Sequence, residues 1–258
     1  SNTGMMEAFV GRALKQIRGK TSRSDKELRA SCDGVFAELD KRGQHPGKAI
    51  GTNDQGAADR YWQPFKLACE HKKQDVRRIA LDCLEKLIAH GFIKGNGQIQ
   101  APDGSTSTLI DEIVHTICEC KHQATPPVEL QIIKALLTVV SSTSCKVHGV
   151  SLVYAVRACY QIFLVTKDNV NKITAKGCLT QMLHVVFQSM EGFDRTRRAD
   201  LERVSELPCH MHCDYQVPKT MSFITVLLVD WASKLGGRTP RRSNFEGPNE
   251  QKICSSTG

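Results

Sequence analysis

The chain has 258 residues, of which 40% are hydrophobic and 24% are charged, so it is long and apolar enough for a sizeable core and is not disordered throughout. Its formal net charge of +8 comes from 35 basic and 27 acidic residues spread along the chain, which weakly favours anionic partners. Nucleic-acid binding would be indicated by basic residues interleaved with exposed aromatic residues, or by a known nucleic-acid-binding motif. Neither occurs in the sequence, so no nucleic-acid partner is expected.

The first part of the chain predicts two helices followed by a loop. Apolar residues recur at steps of three and four over residues 5–17 and again over residues 25–41, which is the period of one helix face. Ser24 is the candidate N-cap of the second helix, and Glu27 three positions later would complete a capping box. Residues 43–56 are rich in glycine and poor in large apolar side chains, so they predict a mobile loop.

Six further segments carry the same helical period. The first of them begins near Gln63, because Pro64 fits only a first turn, and the second ends at Gly91. Residues 93–104 are rich in turn formers, and no alternating strand pattern separates the helices. The six predicted helices cover residues 59–71, 75–90, 107–121, 126–141, 148–166 and 169–190, the fourth of them opened by two prolines.

About eight amphipathic helices joined by short polar turns form either a bundle or a stack of helix pairs. The pairs at residues 63–90, 107–141 and 148–190 recur at roughly the 40-residue period of armadillo and HEAT repeats. We therefore predict an all-α, armadillo/HEAT-like stack of about eight helices over residues 1–191. Residues 192–258 are charged and punctuated by proline and glycine, which predicts a divergent, irregular and partly disordered tail with one short apolar segment at residues 221–235.

The eleven cysteines mostly occupy apolar positions of the helical patterns, where they are expected to be small buried residues. Their odd number and the lack of an apolar amino-terminal signal region disfavour a secreted disulfide framework and favour a cytosolic setting. Cys118 and Cys120 are two residues apart, so they point to different sides of a helix and are expected to pack rather than to share a metal. The longest aliphatic runs are far below the about 20 residues of a membrane span, so only peripheral membrane association is expected.

Motifs of catalysis are absent from the sequence. It contains no Walker-type phosphate loop, no glycine-flanked nucleophilic serine and no pair of histidines around a glutamate, so neither an enzyme nor a cofactor is expected. The strongest metal-like cluster is Cys209, His210, His212 and Cys213, whose thiols and imidazoles suit zinc. Structural zinc sites normally recruit a second ligand pair, which favours an unstructured polar turn at this cluster and leaves a zinc-dependent regulator as the alternative.

Trp62 and Phe65, on either side of Pro64, have two interpretations. Aromatic residues dominate binding hot spots, so they are candidates for an exposed recognition anchor. The exposure statistics of aromatic residues favour the other interpretation, in which both side chains pack under the neighbouring helix.

Five segments of the sequence together resemble one family. They are similar to the dimerisation and cyclophilin-binding (DCB) region of the brefeldin A-inhibited Arf exchange factors of the trans-Golgi. The resemblance covers residues 5–191 and does not extend into the tail. The segments are residues 61–69 (YWQPFKLAC), 81–91 (LDCLEKLIAHG), 129–138 (ELQIIKALLT), 155–160 (AVRACY) and 174–183 (TAKGCLTQML).

The resemblance implies a non-catalytic regulatory and recruitment module, because the family's exchange domain and its glutamate-bearing motif are missing from this chain. It also implies three kinds of partner: a GTP-loaded Arf-like small GTPase that recruits the protein to the trans-Golgi, a second copy or a neighbouring helical regulatory region, and a cyclophilin. A generic helical scaffold with unspecified partners is the remaining alternative.

The candidate GTPase-binding residues lie on the predicted helix over residues 75–90. Lys86 and His90 are four residues apart and therefore share a face. Tyr61 and Trp62 are added as candidate neighbours. The alternative for Lys86 and His90 is a solvated polar face beside a stripe of core residues.

Overall fold

The helical periods of the sequence fold as eight α-helices over the residues that the structure describes. The computed structural model describes the backbone of residues 2–44, 56–100 and 106–204, and the side chains of residues 4–41, 56–100 and 106–188. A 3₁₀ turn at Asp59–Tyr61 leads into the third helix. The α-helices are α1 (Asn2–Lys20), α2 (Lys26–Gln44), α3 (Trp62–Cys69), α4 (Gln74–Ala89), α5 (Leu109–Glu119), α6 (Pro126–Ser141), α7 (Gly149–Val165) and α8 (Asn169–Val204).

The helices form two layers of a stack. In one layer α1 packs against α4, α4 against α6, and α6 against α8; in the other α2 packs against α3, α3 against α5, and α5 against α7. Each consecutive pair, from α1 and α2 to α7 and α8, contributes one helix to each layer. This is the predicted stack of helix pairs, and the all-α, armadillo/HEAT-like prediction is confirmed.

The core lies between the two layers. It is built from the apolar stripes that predicted the helices, and its largest fully buried side chains include Tyr61, Phe65, Leu14, Leu84 and Ile132. Burial of a large apolar side chain contributes about 1.5–3 kcal/mol each, so the shared stripe is what holds neighbouring pairs together.

Two of the predicted helix boundaries are confirmed and one cap is corrected. Pro126 begins α6, and Gly91 follows α4 with a φ of 69°, a left-handed conformation that favours glycine. The predicted capping box of Ser24 and Glu27 is wrong, because α2 begins at Lys26 and the carboxylate of Asp25 accepts hydrogen bonds from Ser22. Carboxylates shape such turns as readily as hydroxyls do.

A capping box does occur at the start of α5. The hydroxyl of Thr108 accepts a hydrogen bond from the backbone N–H of Asp111, and the carboxylate of Asp111 accepts one from the backbone N–H of Thr108. The box fixes the first turn of α5.

A small β-hairpin was not predicted. Strand β1 (Gln98–Gln100) pairs antiparallel with β2 (Thr106–Thr108), with Gln98 opposite Thr108 and Gln100 opposite Thr106. The strands have three residues each and none of these residues is buried, so they carry no apolar alternation for a sequence pattern to show. As a result α5 begins at Leu109 and not at residue 107.

The segment between α4 and β1 is bound to the 3₁₀ turn by hydrogen bonds and lies close to α5. The carboxylate of Asp59 accepts hydrogen bonds from the backbone N–H groups of Lys94 (3.0 Å) and Gly95 (3.1 Å), while burial raises the pKa of that carboxyl. Gly95 has a φ of 67°, and a Cβ atom there would lie 2.5 Å from Cβ of Ile110. Only glycine fits this position without displacing α5.

Four loops lie along one edge of the stack and are joined by hydrogen bonds. Nζ of Lys73 donates to the carbonyl of Lys20 (2.8 Å), which joins the α3–α4 and α1–α2 loops. The guanidinium of Arg77 donates to the carbonyl of His122 (3.1 Å), and the amide of Asn171 donates to the carbonyl of Pro126 (2.8 Å). We call this row of the α1–α2, α3–α4, α5–α6 and α7–α8 loops the linked edge.

The ends of the described residues bear on the predicted domain boundaries. The backbone of α2 is helical to Gln44, the second residue of the loop predicted at residues 43–56, and residues 45–55 lie outside the described residues. The backbone of α8 continues to Val204, beyond the predicted boundary at residue 191, which stays a prediction. Most of the predicted tail, including the apolar segment at residues 221–235, lies outside the described residues. Within the described part of the chain, no helix has the length and apolar character to cross a membrane.

Replacement of Gly95 by alanine is expected to destabilise the fold strongly. The new Cβ combines a disfavoured positive φ with an overlap against α5, so we expect a loss of about 3 kcal/mol or more in the free energy of unfolding, measured by urea denaturation. Gly177→Ala is the matched control, because a Cβ there meets nothing within 4 Å inside a helix and should stabilise by about 0.5–1 kcal/mol. Equal effects of the two substitutions would contradict the packing described at Gly95.

Candidate interaction surface on α4

Lys86 lies in the last turn of α4, His90 is the residue that caps the C-terminal end of this helix, and both side chains are exposed. Leu84, Leu87 and Ile88 of the same helix are buried, so the core stripe and the polar face of α4 are separated as the sequence predicts. Nζ of Lys86 lies 2.6 Å from a carboxylate oxygen of Asp82, one turn earlier on the helix. This pair holds the lysine against the surface of α4.

The imidazole of His90 belongs to a small aromatic cluster. Its ring centroid lies 5.5 Å from that of Phe9 on α1, in a stacked arrangement, and 5.9 Å from that of Phe92. Phe9 is half-buried and Met5, one turn earlier on α1, is exposed. An apolar strip from α1 therefore adjoins the polar face of α4, a combination that is common at protein interfaces.

A groove of about 380 Å³ continues this surface on the side of α6. It is lined by Ile88 and Ala89 of α4, by Leu137 and Thr138 of α6, and by the four successive hydroxyl side chains of residues 141–144. We use the name α4 face for Lys86, His90, Phe9 and this groove. It offers apolar contact area next to a cation and to hydroxyl donors.

The structure corrects the other two candidates. Tyr61 is fully buried and Trp62 is 7% exposed, so neither presents a surface to a partner, and Phe65 is buried with them. Of the two interpretations of Trp62 and Phe65, the one in which they pack under neighbouring helices is confirmed. Sequence alone did not decide this, because an aromatic pair beside a proline is compatible with a core position and with an exposed anchor.

The polar atom of Trp62 is paired inside the chain. Its indole N–H donates to one carboxylate oxygen of Glu112 (2.7 Å), and Nζ of Lys66 donates to the other (2.6 Å). The hydrogen bond to Glu112 raises the pKa of Lys66. This group ties α3 to α5 and serves the fold, not recognition.

The structure contains a second groove, of about 500 Å³, which the sequence did not predict. It lies between α3, the hairpin, α5 and α7, and Val114, His115, Val150 and Tyr154 form its apolar side. Its residues come from separate elements, one of them the unpredicted hairpin, so no local pattern could have revealed it.

The carboxylates of this second groove already have partners within the chain. Burial opposes ionisation of Asp111, but hydrogen bonds from the hydroxyls of Ser151 and Thr108 outweigh it and hold the pKa of Asp111 below its ordinary value. Glu112 is shared between Trp62 and Lys66. Both carboxylates of this groove therefore serve contacts within the chain.

Each of the eight cysteines in the described residues is buried and unpaired. Burial raises the pKa of the Cys83 and Cys118 thiols to about 12, so neither supplies a thiolate near neutral pH. The predicted packing role of Cys118 and Cys120 is confirmed by their burial. Among the described residues no three histidine, cysteine or acidic side chains are placed to hold a metal ion. Cys209, His210, His212 and Cys213 lie outside those residues.

These features define a class of protein, a helical-repeat module whose exposed surfaces suit the binding of other proteins. Residues 3–192 match the family described as the Mon2/Sec7/BIG1-like dimerisation and cyclophilin-binding domain. The chain belongs to this DCB family, and the resemblance found in its sequence is confirmed. The domain is described by its interactions and not by catalysis.

Similar proteins are large exchange factors. Over 205 residues the chain is 38% identical to brefeldin A-inhibited guanine nucleotide-exchange protein 1 of Homo sapiens, covering 71% of this chain and 11% of that protein. Over 194 residues it is 30% identical to the ADP-ribosylation factor guanine nucleotide-exchange factor sec71 of Schizosaccharomyces pombe, covering 73% of this chain and 10% of that protein. The chain thus spans about a tenth of the length of these relatives and corresponds to a regulatory region of large Arf exchange factors.

Substitution of Trp62 by phenylalanine tests its assignment to the core. The ring remains but Glu112 loses the indole N–H, so the free energy of unfolding should fall by about 1–2 kcal/mol in thermal or urea denaturation. Partner binding by the folded variant should be unchanged. A Trp62→Phe variant that keeps its stability and loses a partner would contradict the assignment.

Proposed function

We propose that the chain is the recruitment and assembly module of a large Arf guanine-nucleotide exchange factor. In this proposal it binds a GTP-loaded Arf-like small GTPase at the trans-Golgi, where the protein is cytoplasmic and peripheral to the membrane, and it associates with a second copy or with a neighbouring helical regulatory region. A cyclophilin is included among the partners on the family description alone. Nucleotide exchange itself is assigned to the remainder of the relatives, which this chain does not cover.

The observation that carries GTPase binding is the composition of the α4 face. The GTP-bound form of a small GTPase orders its switch segments and presents apolar side chains that are not held in place in the GDP-bound form. Phe9, Ala89 and Leu137 supply apolar contact area for such side chains, and Lys86 and His90 lie beside them as polar contacts. Affinity of this kind comes from a few buried anchors within a polar rim.

The observation that supports self-association is an apolar end of the stack. Most of the large apolar side chains that are exposed among the described residues lie on α7 and α8, the last helix pair that the structure describes. Val165 is 78%, Ile173 74% and Val170 63% exposed. A second copy that covers these side chains would bury apolar area that is exposed in the described part of the chain.

Binding should depend on the nucleotide state and on the α4 face. Immobilised Arf-like GTPase locked with GTP should retain the 258-residue chain, and the same GTPase with GDP should not. Lys86→Glu should weaken binding about tenfold while the melting temperature changes little, since its new repulsion with Asp82 costs only a few tenths of a kcal/mol. Lys167→Glu, an equal charge change at an exposed lysine of the α7–α8 loop, should bind normally. Equal retention by both nucleotide forms, or equal effects of the two variants, would contradict the proposal.

Self-association should depend on α8. Ile173→Asp places a charge on the apolar end, so the dissociation constant of the dimer should rise about tenfold or more in sedimentation equilibrium. Val150→Asp is the control, because Val150 is similarly exposed at 69% but lies at the start of α7 beside the second groove. If both variants associate as the unmodified chain does, the end of the stack is not the contact between copies.

A further inference from the structure

Among the residues that the structure describes, the positive charge is concentrated on the linked edge. Its four segments, residues 18–29, 70–78, 119–125 and 166–172, contain twelve lysines and arginines against six aspartates and glutamates. The described segments of the opposite edge, residues 56–62, 89–100, 106–112 and 142–149, contain three of each. The sequence did not show this asymmetry, because the four basic segments are far apart along the chain and meet only in the stack.

Several cations of the linked edge have no ion-pair partner among the residues that the structure describes. We call Arg23, Lys26, Lys72, Arg78 and Lys167 the basic edge residues. All five side chains are exposed, and none forms an ion pair with another described residue. They therefore remain available to an external anionic surface.

The neighbouring carboxylates are partly compensated. Asp75 is 2.7 Å from Nζ of Lys20, and Asp25 is 3.3 Å from a ring nitrogen of His71. The guanidinium groups of Arg29 and Arg77 donate to backbone carbonyls, so they fix the loops without losing their charge. Of the remaining carboxylates, Glu27 and Glu70 are exposed on the same edge, and the cations still outnumber the acidic groups.

The arrangement of these cations indicates the kind of partner. They are spread over loops at successive repeats, and neighbouring helices pack about 8–10 Å apart, so the charge extends over roughly 30 Å. The hydrogen bonds between the loops hold this row in place. A pocket for a single phosphate group would instead gather its cations around one point, and a nucleic-acid groove would add aromatic side chains for base stacking.

From this placement we propose that the linked edge is a contact surface for a membrane that contains acidic phospholipids. An extended row of cations matches a surface of many separate negative headgroups, and each lysine or arginine close to such a surface adds to the affinity. The contact is electrostatic and reversible. The contact rests on the proposed function in that it would contribute to the peripheral membrane localisation. It does not depend on GTPase binding, because the basic edge residues and the α4 face are different residues.

Co-sedimentation of the full chain with vesicles tests the proposal without any GTPase. Vesicles of phosphatidylcholine with phosphatidylserine should bind the chain, vesicles of phosphatidylcholine alone should not, and added salt should release it. The triple variant Arg23→Glu, Lys72→Glu and Lys167→Glu changes one exposed cation in each of three loops. It should bind at least about a hundredfold more weakly, since each lost cation accounts for about a fivefold change in affinity.

The matched control is the triple variant Lys41→Glu, Lys134→Glu and Lys146→Glu. It makes the same change in net charge at three exposed lysines away from the linked edge and should keep most of the binding. Equal losses in the two triple variants would assign the effect to net charge and overturn the proposal, as would absence of binding to acidic vesicles. The proposal would also be overturned if the chain bound an RNA or an acidic protein but not the vesicles, and if the edge variant lost that binding.

The result of the vesicle experiment can be distinguished from that of the GTPase-binding experiment. The edge variant should still bind the GTP-loaded GTPase in solution, and Lys86→Glu should still bind acidic vesicles. An edge variant that loses both activities while its melting temperature is unchanged would show that the two surfaces are not independent, and the assignment of the linked edge to lipid alone would be overturned.

Discussion

The structure depends on one constraint: each helix has a single apolar stripe, and that stripe is buried only when helix pairs stack in two layers. A pair such as α3 and α4 cannot cover its own stripes, because α4 also packs on α1 and α6, and α3 also packs on α2 and α5. Burial is therefore shared between neighbours, as in other repeat proteins. The surfaces that remain available to partners are those that the stack does not cover, namely the outer sides of the layers, the loop edges and the ends.

The sequence predicted the parts of the fold that rest on local physics. Pro126 opens α6 and Gly91 ends α4, because a proline fits only a first turn and a left-handed residue favours glycine. The paired strands at residues 98–100 and 106–108 were not predicted because they are short and none of their residues is buried. Gly95 is similar: its need for glycine comes from Ile110 on another element, which no local pattern shows.

The candidate site was predictable only in part, for a physical reason. The four-residue spacing of Lys86 and His90 places them on one helix face, however the helix packs against its neighbours. Whether an aromatic residue is in the core depends on which helix lies over it, and in this fold Glu112, fifty residues after Trp62, supplies the partner for the indole. The groove between α4 and α6 and the charge of the linked edge likewise arise from residues that are distant in the sequence. Composition gave the sign of the net charge but not its position.

The two proposed surfaces are compatible with one orientation of the protein. Lys72 and Lys73 precede α4, whereas His90 follows it, so the linked edge and the α4 face lie about 25 Å apart along that helix at 1.5 Å per residue. A small GTPase of roughly 180 residues is about 40 Å across by the scaling of folded domains. A GTPase held at a membrane would therefore span the distance from the lipid surface to the far end of α4 while the linked edge stays on the headgroups.

Such a geometry gives a reason for two weak contacts in place of one strong contact. When one contact is made, the other becomes intramolecular, and its effective concentration is set by the rigid length of α4 and not by diffusion. Lipid alone and GTPase alone would each hold the protein only briefly, whereas both together would hold it where acidic lipid and GTP-bound GTPase coincide. The rigidity of the stack matters for this selectivity, because a flexible connection would spread the second site over a larger volume and so lower its effective concentration.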